Sequence, residues 1–354
     1  MYSNEDIDAA VKAGVLSHES ARAFRSFAES QRVGSHVDEE HLRLVSGFND
    51  IFIVIAGLLL LVATYQITKE LVATWASGVI PAVFAWFLAE YFVRKQRMSL
   101  PGIVFLCAFV AGLFFTGSFV VTALDETLKS KGLVVNGLES TFGTGSRSSL
   151  MIMLSALLAA VGTGLHWMRF KVPLAPAMGL GALLILIIFS INYFIPVADQ
   201  YFTYYVLVGG VIAFALAMYW DRQDPSRMSR QSDTAFWLHL LAAPALVHPI
   251  FSMVHVFDGE VTTLKVYAVI TLYIVMGIVS LAIDRRALMV SSLIYVIYTF
   301  STVFKNLSTI SLGFSYASLF IGFGLLLLSV FWHPCRRFIF RAIPKSIQSY
   351  LAPL

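Results

Sequence analysis

The sequence predicts an all-α fold: a polytopic transmembrane helix bundle of ten spans, with a small N-terminal helical hairpin and both termini on the cytoplasmic side. Three observations predict it. Hydrophobic residues make up 58% of the 354 residues and charged ones only 13%, whereas soluble domains are about half apolar and a quarter charged. Apolar runs follow one another, each near the roughly 20 residues that cross a bilayer. Lys and Arg are dense in alternate connectors between those runs. A soluble chain this apolar could not cover its own surface, so lipid is the expected solvent for most of it.

Residues 1–47 form a polar cytoplasmic segment with eight acidic side chains, which argues against a cleaved signal peptide. Ser3 or Asn4 is placed to cap a short helix, with Glu5 and Asp6 favourable in its first turn and Gly14 as its stop. Ser17 is placed to cap a second helix that aligns Ala21, Phe24 and Phe27 on one face. Such a hairpin is marginal alone by size, so it is expected to rest on the membrane domain or on a protein partner.

The bundle spans 48–333, with apolar runs at 49–67, 71–93, 101–124, 148–168, 173–195, 202–220, 235–257, 264–283, 287–304 and 310–332. The tightest connectors are Thr68-Lys69-Glu70 and the Asp284-Arg285-Arg286 turn. With the N-terminus inside, the inner connectors and the tail hold 14 Lys and Arg and the outer connectors six. The longest outer connector, 125–147, carries Gly132, Gly137, Gly143 and Gly145 and reads as a flexible loop. The tail, 334–354, sets Arg336, Arg337, Arg341 and Lys345 among Phe338, Ile339, Phe340, Ile343 and Ile347. That pattern suits a segment at the inner interface, with its basic side on anionic lipid headgroups.

Charges inside hydrocarbon are costly, so each is a functional candidate. Asn49, Asp50, Glu90 and Arg94 fall at the inner side of the first two runs and could line an inner vestibule, with Glu90 and Arg94 four apart and able to pair. The seventh run is the most unusual. Pro244 and Pro249 should break or kink it, and His248, Ser252 and His255 share one face. The ninth run sets Ser291, Tyr295, Tyr298 and Thr302 within a narrow arc. Both faces are expected to point into the bundle, since stranding them in lipid would cost up to a few kcal/mol per group. The competing reading of both is helix packing with hydroxyl and imidazole bonds between neighbours.

No cofactor or metal is expected. Zinc needs three or four ligands and the seventh run supplies two. A bis-histidine haem would need His166 or another distant partner. No nucleotide loop, zinc-protease motif or nucleophile elbow occurs, which excludes ATP-driven transport by this chain alone. Nucleic acid is not an expected partner despite the net charge of +4, because the basic residues flank apolar runs.

The phrase "AAVKAGVLSHESARAF", followed by "DEEHLRLVSGFNDIFIVIAGLLLLV", resembles a family of bacterial predicted membrane proteins. These join a short N-terminal helical segment to a multi-helix bundle. The resemblance covers the first 65 residues, implies a bacterial inner membrane, and carries no activity or site residue. Three functions follow in order of support: a small-molecule permease or transport-related protein, a non-catalytic membrane scaffold or sensor, and a membrane-embedded enzyme acting on a lipid or quinone.

Overall fold

The computed structural model describes residues 7, 10–11, 13–24, 48–131, 144–195, 200–224, 227, 229–255, 262–307, 313–348 and 351. The chain divides into two compact units, Met1–Leu42 and Arg43–Leu354. In the first, the Ser17 side-chain oxygen accepts the Ser20 N–H at 3.0 Å and starts a helix over 18–24. Gly14 has φ +72°, the left-handed stop that glycine adopts without strain. The expected Ser3 or Asn4 cap and Phe27 lie outside the described residues.

The second unit is helical throughout its described residues apart from the connectors. Its helices are α1 (Phe48–Leu71), α2 (Ala76–Ala89, continued by a π-helical turn, Glu90–Lys95), α3 (Ser99–Ser130), α4 (Thr144–Phe170), α5 (Ala175–Phe194) and α6 (Phe202–Gln223). They are followed by α7 (Arg230–Met253), α8 (Thr263–Ile283), α9 (Ala287–Leu307), α10 (Gly313–Val330), α11 (Trp332–Ala342) and α12 (Lys345–Gln348). Among the described residues, α1 to α8 are long and apolar enough to cross a membrane. The apolar stretch of α9, Ala287–Val303, is shorter, and Ser318–Val330 qualifies only together with Trp332–Ala342, across a 73° bend. Eight to nine helices therefore meet the criterion of length and apolarity, against the ten expected.

Two connectors differ from expectation. Thr68, Lys69 and Glu70 lie inside α1, which runs on to Leu71, so the turn falls at 72–75 instead. Helix propagation gains a hydrogen bond per residue, and none of these three residues breaks a helix. The predicted outer loop is shortened from both sides, by α3 reaching Ser130 and α4 starting at Thr144; residues 132–143 lie outside the described set.

Helix α7 is also not broken, despite Pro244 and Pro249. An interior proline costs about 3 kcal/mol by removing a donor and crowding the preceding turn. Pro249 leaves the Ala245 carbonyl without its helical N–H. At that carbonyl α6 comes closest: a Cβ on Gly210 would stand 2.7 Å from Ala245 O. The absent side chain lets the α6 backbone cover the exposed carbonyl, and the two helices pack against each other.

The same device joins α2, α3 and α4. A Cβ on Gly78 would stand 2.7 Å from Gly112 O, and one on Gly117 would stand 2.5 Å from Ser155 Cα. Gly164 and Gly322, by contrast, face open space. Around these contacts, α1 to α5 bury Phe105, Leu106 and Phe109, and α7 to α9 bury Val247, Phe251, Val269 and Tyr295. Leu59, Val208, Ile294, Leu326 and many other apolar side chains remain outward. That distribution suits a lipid solvent, in which outward leucine carries no penalty.

Candidate functional site

The largest concentration of buried charge lies where α6, α7, α8 and α11 end or begin. Asp221, in the last turn of α6, accepts from Arg285 at 2.5 Å and 3.3 Å and lies 2.8 Å from His239 Nε2 of α7. Arg285 also reaches the Ser232 hydroxyl at 3.2 Å. Arg285 and His239 are each only 2% exposed. A fork of parallel N–H groups on one carboxylate is the strongest arrangement open to an arginine.

Asp284, the neighbour of Arg285, anchors a second layer. Its carboxylate accepts from Arg227 at 3.0 Å and from the Trp332 indole at 2.9 Å, and pairs with Arg336 at 3.5 Å. Arg227 donates further to the carbonyls of Ile283 and Asp284, which α8 leaves unpaired at its C-terminus. Burial pushes the Arg227 guanidinium down from its ordinary value, helped by the positive charges of Arg285 and Arg336 and opposed by Asp284 and Asp221. Arg286 stacks on Trp332 at 4.8 Å.

The turn that aims these groups is itself constrained. Asp284 sits at φ +59°, a left-handed conformation that costs a non-glycine residue about 1–2 kcal/mol. Ser280 holds it by donating to the Arg285 carbonyl and accepting the Arg285 N–H through its own carbonyl, the latter at 3.0 Å. Asp221 and Asp284 between them thus take up Arg227, Arg285 and Arg336. Sequence reading missed this site. Its charges fall at the ends of apolar runs, where Lys and Arg ordinarily mark topology, and nothing local says that Asp284-Arg285 turns inward.

The expected sites are placed as follows. His248 is exposed, with Nδ1 2.6 Å from the Tyr295 hydroxyl; Ser252 is half-buried, and His255 lies just past α7, exposed at φ +52°. His248 thus reaches across to α9, while the residues that α7 buries are Leu238, His239, Ala242, Ala243 and Val247. On α9, Tyr295 is buried and stacks on Phe251 at 4.4 Å, while Ser291, Tyr298 and Thr302 are half-buried. Thr302 donates to the Tyr298 carbonyl of its own helix. The fully buried hydroxyls of α9 are Ser292 and Thr299, and both also bond to their own backbone.

Glu90 pairs with Arg94 at 2.6 Å, and Arg169 of α4 adds a two-pronged contact at 2.7 and 3.1 Å. Asp50 is buried and Asn49 exposed. His166 is fully buried in a box of Trp86, Phe109 and Phe170, and neither ring nitrogen has a hydrogen-bond partner. Among the described residues no three His, Cys, Asp or Glu are placed to hold a metal ion. An apolar cavity of about 380 Å³ opens between α3, α4, α5 and α7, lined by Val110, Phe114, Ala159, Met178, Trp237 and Leu241.

No family model, no curated protein and no solved structure matches this chain, so the reading of its function rests on the geometry above.

Proposed function

We propose that this chain is a multi-pass bacterial inner-membrane protein of ten spans with both termini inside, and that it acts as a small-molecule permease whose inner end is closed by the Asp221–Arg285–His239 lock. Its apolar helices make membrane insertion the coarse part of that reading. The observation that supports the finer part is the burial of two interlinked ion-pair layers, contributed by α6, α7, the α8–α9 turn and α11. Surface charges one turn from water would hydrate freely. Holding them in a dry network costs several kcal/mol per ion, repaid only by the mutual fit of the groups. A network of that kind has two states, engaged and hydrated, and the engaged state joins the inner ends of the helices that flank His248 and Tyr295. The scaffold reading keeps one observation in its favour, the backbone-to-backbone packing of α2, α3 and α4 at Gly78 and Gly117.

One experiment separates them. Single cysteines at 248, 252, 255, 295 and 298, in a background lacking Cys107 and Cys335, are expected to react with a small water-soluble thiol reagent. Asp221→Asn is expected to raise the rate at 252 and 295 several-fold by unlocking the inner end. Protection from water-soluble and lipid-soluble reagents alike, unchanged by Asp221→Asn, would mean dry packing and the scaffold reading.

The topology makes its own prediction. Reporters fused at residues 1 and 354 should both report cytoplasm, and one near Gly137 the outside. An external C-terminus would break the ten-span count.

A further inference from the structure

Helix α11 follows α10 after a 73° bend, so it cannot continue along the axis of that span. One side of it is fastened to the bundle. Trp332 and Arg336 reach Asp284, and Trp332, Cys335 and Ile339 pack with Leu281, Met289, Leu325 and Leu328. Gln348 ties the following turn back by donating to the Phe340 and Ile343 carbonyls. The other side is outward: Arg337 and Arg341 lie four residues apart on α11 and are exposed, Phe338 between them is 76% exposed, and Lys345, which opens α12 past the extended Ile343, is exposed too.

We propose that this outer face of α11, with the start of α12, is a docking surface for anionic phospholipid headgroups, with Phe338 seated among the acyl chains and Arg337, Arg341 and Lys345 on the phosphates. The division of the basic residues argues for it. Arg336 turns inward to Asp284, which leaves the stripe of Arg337 and Arg341 to face outward, with Lys345 exposed just past the helix end. An apolar ring beside that stripe fits a bilayer surface, where an amphipathic helix lies with its ring in the acyl boundary and its cations in the headgroups. A soluble acidic partner would satisfy the cations and leave Phe338 in water. The inference rests on the membrane reading and not on transport; incorporation of the chain into lipid discs checks the former separately.

The test uses the full chain with Phe338→Cys in a background lacking Cys107 and Cys335, carrying a small environment-sensitive fluorophore, in discs of phosphatidylcholine with or without phosphatidylglycerol. Three cations near an anionic surface shift the docked-to-undocked ratio on the order of a hundred-fold. Acrylamide quenching of the label should therefore fall when the anionic lipid is present. The fall should be largely reversed near 1 M salt, where screening reaches about 3 Å. Arg337→Gln, Arg341→Gln and Lys345→Gln together should abolish it; these side chains are exposed, so the bundle is left intact. Equal quenching in both kinds of disc, an unchanged response in the triple variant, or the same protection from free inorganic phosphate in phosphatidylcholine discs would each overturn the proposal.

Discussion

Arg285→Ala is expected to destabilise the protein by about 3–5 kcal/mol, the range for removing one partner of a buried ion pair. The arginine is 2% exposed and holds Asp221 by two bonds and Ser232 by a third. Its loss leaves the Asp221 carboxylate with the His239 imidazole as its remaining bond among these, in a site that is largely buried. Arg285→Lys should recover only part of the loss, because an ammonium cannot present the parallel fork that Asp221 accepts. The joint change Asp221→Leu with Arg285→Met should cost much less than the two single changes added together, since it removes both charges and keeps the volume. Thermal unfolding of the purified chain in detergent, with each variant compared at matched concentration, measures all five. Additive losses in the double variant would show that the two side chains are not coupled and that the inner end holds no lock.

The next largest effect is expected at Gly117. A methyl group there would stand 2.4 Å from Ser155 N and 2.5 Å from Ser155 Cα, and backbone cannot rotate away as a side chain can. Gly117→Ala should therefore force α3 and α4 apart, at a cost at the upper end of the roughly 1–3 kcal/mol typical of overpacking. It should also break the Ser118–Ser155 bond of 2.9 Å that crosses the same contact. Gly164→Ala is the matched control. Nothing lies within 4 Å of its Cβ position, so the change should be neutral or gain up to about 1 kcal/mol from helix propensity. Abundance in membranes and melting temperature of the two variants provide the comparison, and equal behaviour would mean that α3 and α4 are not in direct backbone contact.

The difference between those glycines shows where sequence reading ends. Gly162 and Gly164 are two positions apart on one helix and look alike along the chain, yet of the two only Gly162 meets a neighbour, the Leu113 side chain first. Positions two apart point about 200° away from each other around a helix, and the sequence does not say which of them faces the partner. The same holds on α7: His248, Ser252 and His255 share a stripe, as their spacing requires, but the residue that meets Asp221 and Phe214 of α6 is His239. The Glu90–Arg94 pair was readable because both residues sit on one helix at a fixed separation; Arg169, which completes it from α4, was not.

The sequence by itself determined what is local or set by the solvent. Long apolar runs must be helical where no water can pair with the backbone, so their order and approximate ends follow from composition, and the Ser17 cap and the positive-φ turn at Gly14 follow from single residues. Tertiary structure decided which carboxylate meets which guanidinium. Asp221 and Arg285 are 64 positions apart, and Asp284 and Trp332 are 48. Along the chain each looks like an ordinary flank at the end of an apolar run. Only when α6, α7, α8 and α11 bring their ends together do those flanks lose their water, and a charge without water must take its neighbour's opposite charge in its place.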